Sequence, residues 1–503
     1  MTVLTKECGF NWLGNRRMIK TQKDRSPKAE YVPRIIQGGM GIGVSSWRLA
    51  RAVAQLGEYG IVSGTAIDSV MVRELQNGDP SGRIRALRAY PDTEIVEFLI
   101  DRFYVEDGIE TDAPYKLLPI HRFRPTVQSQ RILSAAAFSE VYLAKDGHHG
   151  RVGINLLCEL KRYTPACMYG AMLAGVDGIF MGAGIPKEEA EQIPKLANGK
   201  AARLRLDVDS SMNPESEEVY YYELNPSDLL DHPPQMTCPE FYPIIASDLL
   251  ARILAKKLPK DLITGWIVEG AVAGGHNAPP RSKTYDERRN PVYDERDIPD
   301  LGRIAELGYP FYLAGGYASP ERLRQALEAG AAGIQVGSLF SLSSESGYPL
   351  DYKRDIISRI HRNEITVRTD GRISPTGFPF KAIEMEGTLG IPENHVQRQR
   401  HCDLGYLQQG YVDARGRLLT RCPAEPVEAY VGKGGKIEDT EGRACLCNGL
   451  TANIGLAQRQ KWGTEGTLFT GGDDLVHLPL GSVETPAYSA EDVIRYLYGE
   501  VLP

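Results

Sequence analysis

Between residues 34 and 340, short apolar runs alternate with amphipathic ones, and most of the apolar runs stop at a glycine. Brief apolar, partly β-branched runs of this kind read as buried strands. Arg34-Ile35-Ile36 is the first and opens into Gln37-Gly38-Gly39-Met40-Gly41. The next stretch, Trp47 to Leu56, puts Leu49, Ala52, Val53 and Leu56 on one helical face. Ser45 or Ser46 stands at its cap and Gly57 at its stop. Tyr59 to Val62 is a second strand. Further strands near residues 153, 179, 244, 266, 312 and 335 bring the count to eight, and most are followed by a helical pattern. Alternation of this kind demands parallel pairing. It predicts an α/β fold of the (β/α)8 TIM-barrel type rather than an open doubly wound sheet, which would concentrate its phosphate loop after the first strand.

Two segments break the rhythm and are expected to be insertions. Residues 68–150 read as helices joined by polar loops. Residues 200–236 hold Leu204 to Val208 and Val219 to Leu224, which read as a hairpin outside the main sheet. Residues 277–298 form a long, charged, proline-containing loop, a candidate lid because it follows a candidate catalytic residue directly. Residues 1–30 are polar and irregular, a lead-in expected to pack on the barrel base or a partner. The barrel is therefore assigned to 1–385, and 386–503 to a glycine- and cysteine-containing C-terminal extension, with Ser374 to Lys381 lying over the barrel mouth and a closing helix over Ala490 to Leu497.

Composition narrows the class. Of 503 residues 42% are hydrophobic and 24% charged, ordinary values for a globular protein. A net charge of −7 without a long basic run speaks against a nucleic-acid surface. No apolar run is long enough to span a bilayer, and the first residues lack the apolar core of a signal peptide, so a cytoplasmic location with reduced thiols is expected. His148 and His149 read as a solvated turn. Cys402, Cys422, Cys445 and Cys447 invite a zinc reading, but C-x-C replaces C-x2-C and the other gaps are wide, so buried or free thiols and no metal are expected.

The candidate chemistry lies at strand ends. Ile263 to Val268 is a strand that turns through Gly270, Gly274 and Gly275 to His276. A histidine on such a loop can face a ligand from the rim of the sheet and exchange protons near neutral pH. Asn155, polar at the end of an apolar strand, must find partners or bind something. Gly315-Gly316 and Gly337-Ser338 fall after the seventh and eighth strands, where barrels commonly hold a phosphate on backbone N–H groups.

Six blocks in order carry a resemblance: I-I-Q-G-G-M-G at 35–41, V-G-I-N-L at 152–156, M-G-A-G-I-P at 181–186, V-E-G-A-V-A-G-G-H-N at 268–277, L-A-G-G-Y-A at 313–318 and A-G-I-Q-V-G-S-L-F at 332–340. Together they resemble the nitronate monooxygenase (2-nitropropane dioxygenase) family of FMN barrels and its relative, the flavin-dependent enoyl-acyl-carrier-protein reductase. The resemblance implies FMN as cofactor. Gln37, Gly38, Gly39 and Met40 would line its ring, Asn155, Gly184 and Gly275 would lie along it, and Gly315, Gly316, Gly337 and Ser338 would hold its phosphate. It implies His276 as the general base acting on a small nitroalkane, O2 as acceptor, and room for a homo-oligomer. Asn277 and Ala271-Val272-Ala273 depart from the family pattern and bear on the substrate more than on the cofactor. Two other functions fit the same blocks: an NAD(P)H-dependent FMN reductase of an enoyl thioester or quinone, and a non-catalytic flavin-binding scaffold.

Overall fold

A computed structural model describes residues 32–213 and 218–500. The lead-in at 1–30 lies outside the described residues. Eight strands form the central sheet: β1 Ile35–Gln37, β2 Gly60–Ser63, β3 Val152–Leu157, β4 Gly178–Gly182, β5 Glu240–Ile245, β6 Trp266–Glu269, β7 Phe311–Ala314 and β8 Gly333–Val336. Each pairs in parallel with its neighbours, from β2 through to β8 and on to β1. A parallel bridge between Ile36 and Tyr59 closes β1 onto β2, so the sheet is a barrel. The eight strands stand where the glycine-stopped runs predict them. The helix Trp47–Gln55 is capped by Ser46 and buries Leu49, Ala50, Val53 and Ala54, whereas Leu56 lies past its end and is exposed.

The barrel is filled, as a closed eight-stranded sheet of this size must be. Ile36, Tyr59, Ile61, Phe180, Tyr242, Ile267, Tyr312 and Ala314 form one inner cluster. Phe180 stacks on Tyr242 at 4.7 Å between centroids, and Tyr59 meets Phe180 edge-on at 5.1 Å. The Tyr59 hydroxyl finds a partner in Glu240, at 3.0 Å. A packed, polar-satisfied floor leaves the C-terminal ends of the strands as the place for a ligand.

Residues 68–150 do fold as helices, but their last helix, Val127–Lys145, belongs to the outer ring. It packs on the helices Thr164–Leu173 and Trp47–Gln55. The reason is topological: parallel strands β2 and β3 need a crossover element between them. The strands Ala202–Leu206 and Tyr220–Leu224 form the expected antiparallel hairpin outside the barrel. The loop 277–298 is mostly exposed, and none of its residues lines the cleft described below. Its own bonds hold it aside, with Gly371 N–H donating to Arg289 and Tyr293 hydroxyl to Ala278.

The cover comes from further along the chain. Thr366–Asp370 and Phe380–Glu384 form an antiparallel pair, and the two-residue strand Gly275–His276 adds to it, so His276 sits opposite Phe380. Buried Lys381 pairs with Asp473 at 2.8 Å and ties this small sheet to the last hundred residues. The closing helix Ala490–Leu497 returns to the ring and packs on Trp47–Gln55 and Pro320–Glu328. From Pro33 on the chain forms one compact unit. Among the described residues no helix is long and apolar enough to cross a membrane.

Candidate active site

Two adjoining chambers open at the C-terminal ends of the strands, about 800 Å³ and 970 Å³ in volume. They share Gly39, Gly41, Glu269, Gly274, Gly275 and Thr470, so they are two ends of one cleft.

The first end is walled by backbone. Gly38, Gly39, Met40, Gly315, Gly316, Gly337 and Ser338 all line it. The glycines are required by geometry at two places. A Cβ on Gly39 would lie 2.2 Å from the Cβ of Asn155, and Gly315 and Gly316 both take φ near +79°, a conformation that L side chains avoid. Among the described residues, the N–H groups of Gly315, Gly316, Gly337 and Ser338 have no acceptor in the fold. Unspent donors on a loop without side chains are what a phosphate dianion needs. Residues 470–474 close the outer side. Gly472 N–H donates to the Ser338 hydroxyl at 2.7 Å, Gly275 N–H to Thr470 at 2.8 Å, and Asp473 N–H to the Val272 carbonyl at 3.0 Å.

The second end is apolar, with a proton-handling pair in its wall. Leu160, Ile244, Phe380, Leu407, Leu446 and Leu450 line it beside Asn155, Glu159 and His276. His276 Nε2 is 2.7 Å from the Ser374 hydroxyl, and its Nδ1 is 3.7 Å from Glu159 Oε1. Phe380 packs edge-on against the imidazole at 5.0 Å. Burial pushes His276 down to about 4 and Glu159 up to about 7, since each charged form is poorly solvated here. At Glu159 the neighbouring Thr376 side chain opposes that rise in part.

Of the residues picked out in sequence, His276, Asn155, Gly275, the Gly38–Met40 loop and the four phosphate-loop residues meet in this cleft. Two stand apart. The Gln37 side chain is fully buried between β1 and β2, donating to the Ser45 hydroxyl and accepting from Ile61 N–H, so it holds the loop rather than lining it. Gly184 faces Cys158, and Gly182 and Ala183 line the cleft in its place. Sequence reasoning missed Glu159, Glu269 and Thr470, and it placed the Ser374–Lys381 segment over the barrel mouth without pairing Ser374 with His276. Glu269 ends β6 and borders both chambers, and burial lifts its carboxyl to about 7. It had a legible signal, a carboxylate closing an apolar strand. Glu159 and Thr470 reach the site through distant chain and had none.

These features define a (β/α)8 barrel with one ligand cleft at its C-terminal face, glycine-walled at one end and apolar with a buried histidine–carboxylate pair at the other. No protein-family model matches the chain. Over 107 residues, 21% of the chain, it is 32% identical to (3aS,4S,5R,7aS)-5-hydroxy-7a-methyl-1-oxo-octahydro-1H-indene-4-carboxyl-CoA dehydrogenase of Mycobacterium tuberculosis, covering 27% of that protein. Over 127 residues, 25% of the chain, it is 28% identical to nitronate monooxygenase of Pseudomonas aeruginosa, covering 34% of that protein. The chain thus matches about a third or less of the length of these curated relatives. Among solved structures it is similar to FabK from Thermotoga maritima, at 14% identity over 93% of this chain and 92% of that chain, with a TM-score of 0.48. It is also similar to nitroalkane oxidase from Streptomyces ansochromogenes, at 14% identity over 93% and 95%, with a TM-score of 0.45.

Proposed function

We propose that this chain is an FMN-dependent oxidoreductase acting at a carbon beside a strongly electron-withdrawing group, in the first instance as a nitronate or nitroalkane monooxygenase with O2 as acceptor. The observation that carries the reading is the shared wall. The glycine cradle with unspent N–H donors runs directly into the chamber that holds His276 and Glu159. FMN would fit that cradle: Gly315, Gly316, Gly337 and Ser338 would hold its phosphate, and Gly38–Met40 and Gly275 would line its ring, where a side chain at Gly39 would strike Asn155. When bound, FMN supplies the redox chemistry.

The chain's own part is binding and proton transfer. The apolar walls exclude water from the substrate's reacting carbon. His276 takes the α-proton at Nε2, where the Ser374 hydroxyl keeps the imidazole oriented until substrate arrives. Glu159, facing Nδ1, offsets the charge that His276 then gains. An already ionised nitronate bypasses this step.

The leucine-lined second chamber favours one further reading, an NAD(P)H-dependent reductase of an enoyl thioester, in which His276 returns a proton to the α-carbon. Anaerobic mixing of the purified protein with propionate 3-nitronate, and separately with NADH and NADPH, decides between them. Bleaching of the flavin absorbance by the nitronate alone supports the monooxygenase, and bleaching only by a reduced nicotinamide supports the reductase. A colourless protein that takes up no added FMN refutes both.

A further inference from the structure

Four of the chain's eight cysteines converge on one small cavity that the chemistry above does not use. Cys402 lies in the turn beyond the helix Pro392–Gln397, Cys422 directly follows the strand Leu418–Arg421, and Cys445 and Cys447 stand at the start of the helix Leu446–Ala452. The cavity is small and otherwise walled mainly by apolar groups such as Pro375, Leu404, Leu407 and Ala424. All four are free thiols.

One of the four sulfurs has an N–H donor. The Gln408 side-chain amide reaches Cys402 Sγ at 3.6 Å. A neutral thiol is a weak acceptor, whereas a thiolate takes such a donor strongly. A cation stands nearby as well. Arg400 is held by the carbonyls of Pro423 and Thr440, and among the described residues it has no carboxylate at ion-pair distance.

The spacing selects the kind of metal centre. A tetrahedral zinc site with Zn–S near 2.3 Å draws its sulfurs to about 3.8 Å from one another. Among the described residues no three His, Cys, Asp or Glu side chains are gathered tightly enough to hold a single ion. Four thiolates spread round a cavity suit a polynuclear centre instead, in which each sulfur binds a different iron. The surrounding region has few and short regular elements, so a centre that crosslinks residues 402, 422, 445 and 447 adds folding free energy where the core is thin.

The geometry points to Cys402, Cys422, Cys445 and Cys447 as the ligands of a [4Fe–4S]-type iron–sulfur cluster. Its cavity shares Leu407, Leu446 and Cys447 with the apolar chamber that holds His276, so the cluster lies one residue's thickness from the active-site cleft.

The test is chemical analysis of the full-length protein isolated without oxygen, with iron and acid-labile sulfide counted per chain, and electron paramagnetic resonance after reduction with dithionite. About four iron and four sulfide per chain are expected, with a paramagnetic signal distinct from flavin. Cys402→Ser combined with Cys422→Ser should remove the sulfide and most of the iron. The wild-type counts stand even if that variant fails to fold. One equivalent of zinc without sulfide would overturn the cluster. So would a protein that stays free of metal after reconstitution with ferrous iron and sulfide. None of these readouts depends on flavin, so the proposal stands or falls apart from the proposed activity.

Discussion

Replacing Glu159 with Gln should abolish the neutral-pH limb of any reaction in which His276 removes a proton. Taken singly, His276 holds its proton only to about pH 4, and Glu159 holds one to about pH 7. Moving the proton from the carboxyl to the imidazole therefore costs about 4 kcal/mol before the two charges are allowed to interact. At 3.7 Å with an effective dielectric constant of about 20, the resulting ion pair returns about 4 kcal/mol. The two one-proton forms are nearly equal in energy, so the pair shares a proton until the pH passes about 7 and then presents a free base. In Glu159→Gln only the burial-lowered histidine remains. Its basicity falls roughly a thousandfold, and with a Brønsted coefficient of roughly one half the proton-transfer rate falls about 30-fold. The assay is kcat/KM for nitroethane between pH 5 and 9, with the preformed nitronate as control. Wild type should rise through pH 7, and the variant should be low and flat on nitroethane but little changed on the nitronate. Histidine C2-hydrogen exchange read by mass spectrometry follows His276 without any substrate. A variant that binds FMN and keeps the rise at pH 7 would refute the coupling.

Other consequences can be checked singly. Gly39→Ala puts a methyl 2.2 Å from Asn155 Cβ and should cost at least tenfold in FMN affinity, read by fluorescence titration, while Gly57→Ala, a glycine with open space around it but φ of +88°, should lower stability without touching that affinity. Glu269 is lifted to about 7 in the fold against an unfolded value near 4.5, so the stability its neutral form contributes is full below pH 4.5 and is lost as the pH rises through 7. Glu269→Gln should therefore leave apo stability unchanged near pH 4.5 and raise it by up to about 3 kcal/mol at pH 8; parallel denaturation curves at both pH values would contradict this. FMN at a hundredfold excess over its Kd should stabilise the protein by about 2.7 kcal/mol, seen as a rise in Tm, and Gly316→Val should reduce that rise because its φ of +78° excludes a branched side chain.

The chain's local patterning determined the barrel. Strands of three to six residues at glycine-stopped intervals leave one economical arrangement, and the eight runs from Ile35 to Val336 all became barrel strands. The glycine loops and His276 were legible for the same reason, since a strand end in a parallel barrel has a fixed address at the C-terminal rim. What surrounds His276 was not legible. Glu159 is 117 positions before it and Ser374 98 positions after it, and only closure of the barrel and the return of the strand Phe380–Glu384 bring them within 4 Å. The lid shows the same limit. Its length and charge drew attention to 277–298, yet the residues that cover the cleft are Thr470–Gly472 and Leu446–Leu450, which carry no period or motif that announces it. The four cysteines gave their identities in the sequence and a spacing that fits no familiar metal motif. Their convergence on one cavity exists only in three dimensions, because long-range contacts are set by packing rather than by local chain geometry.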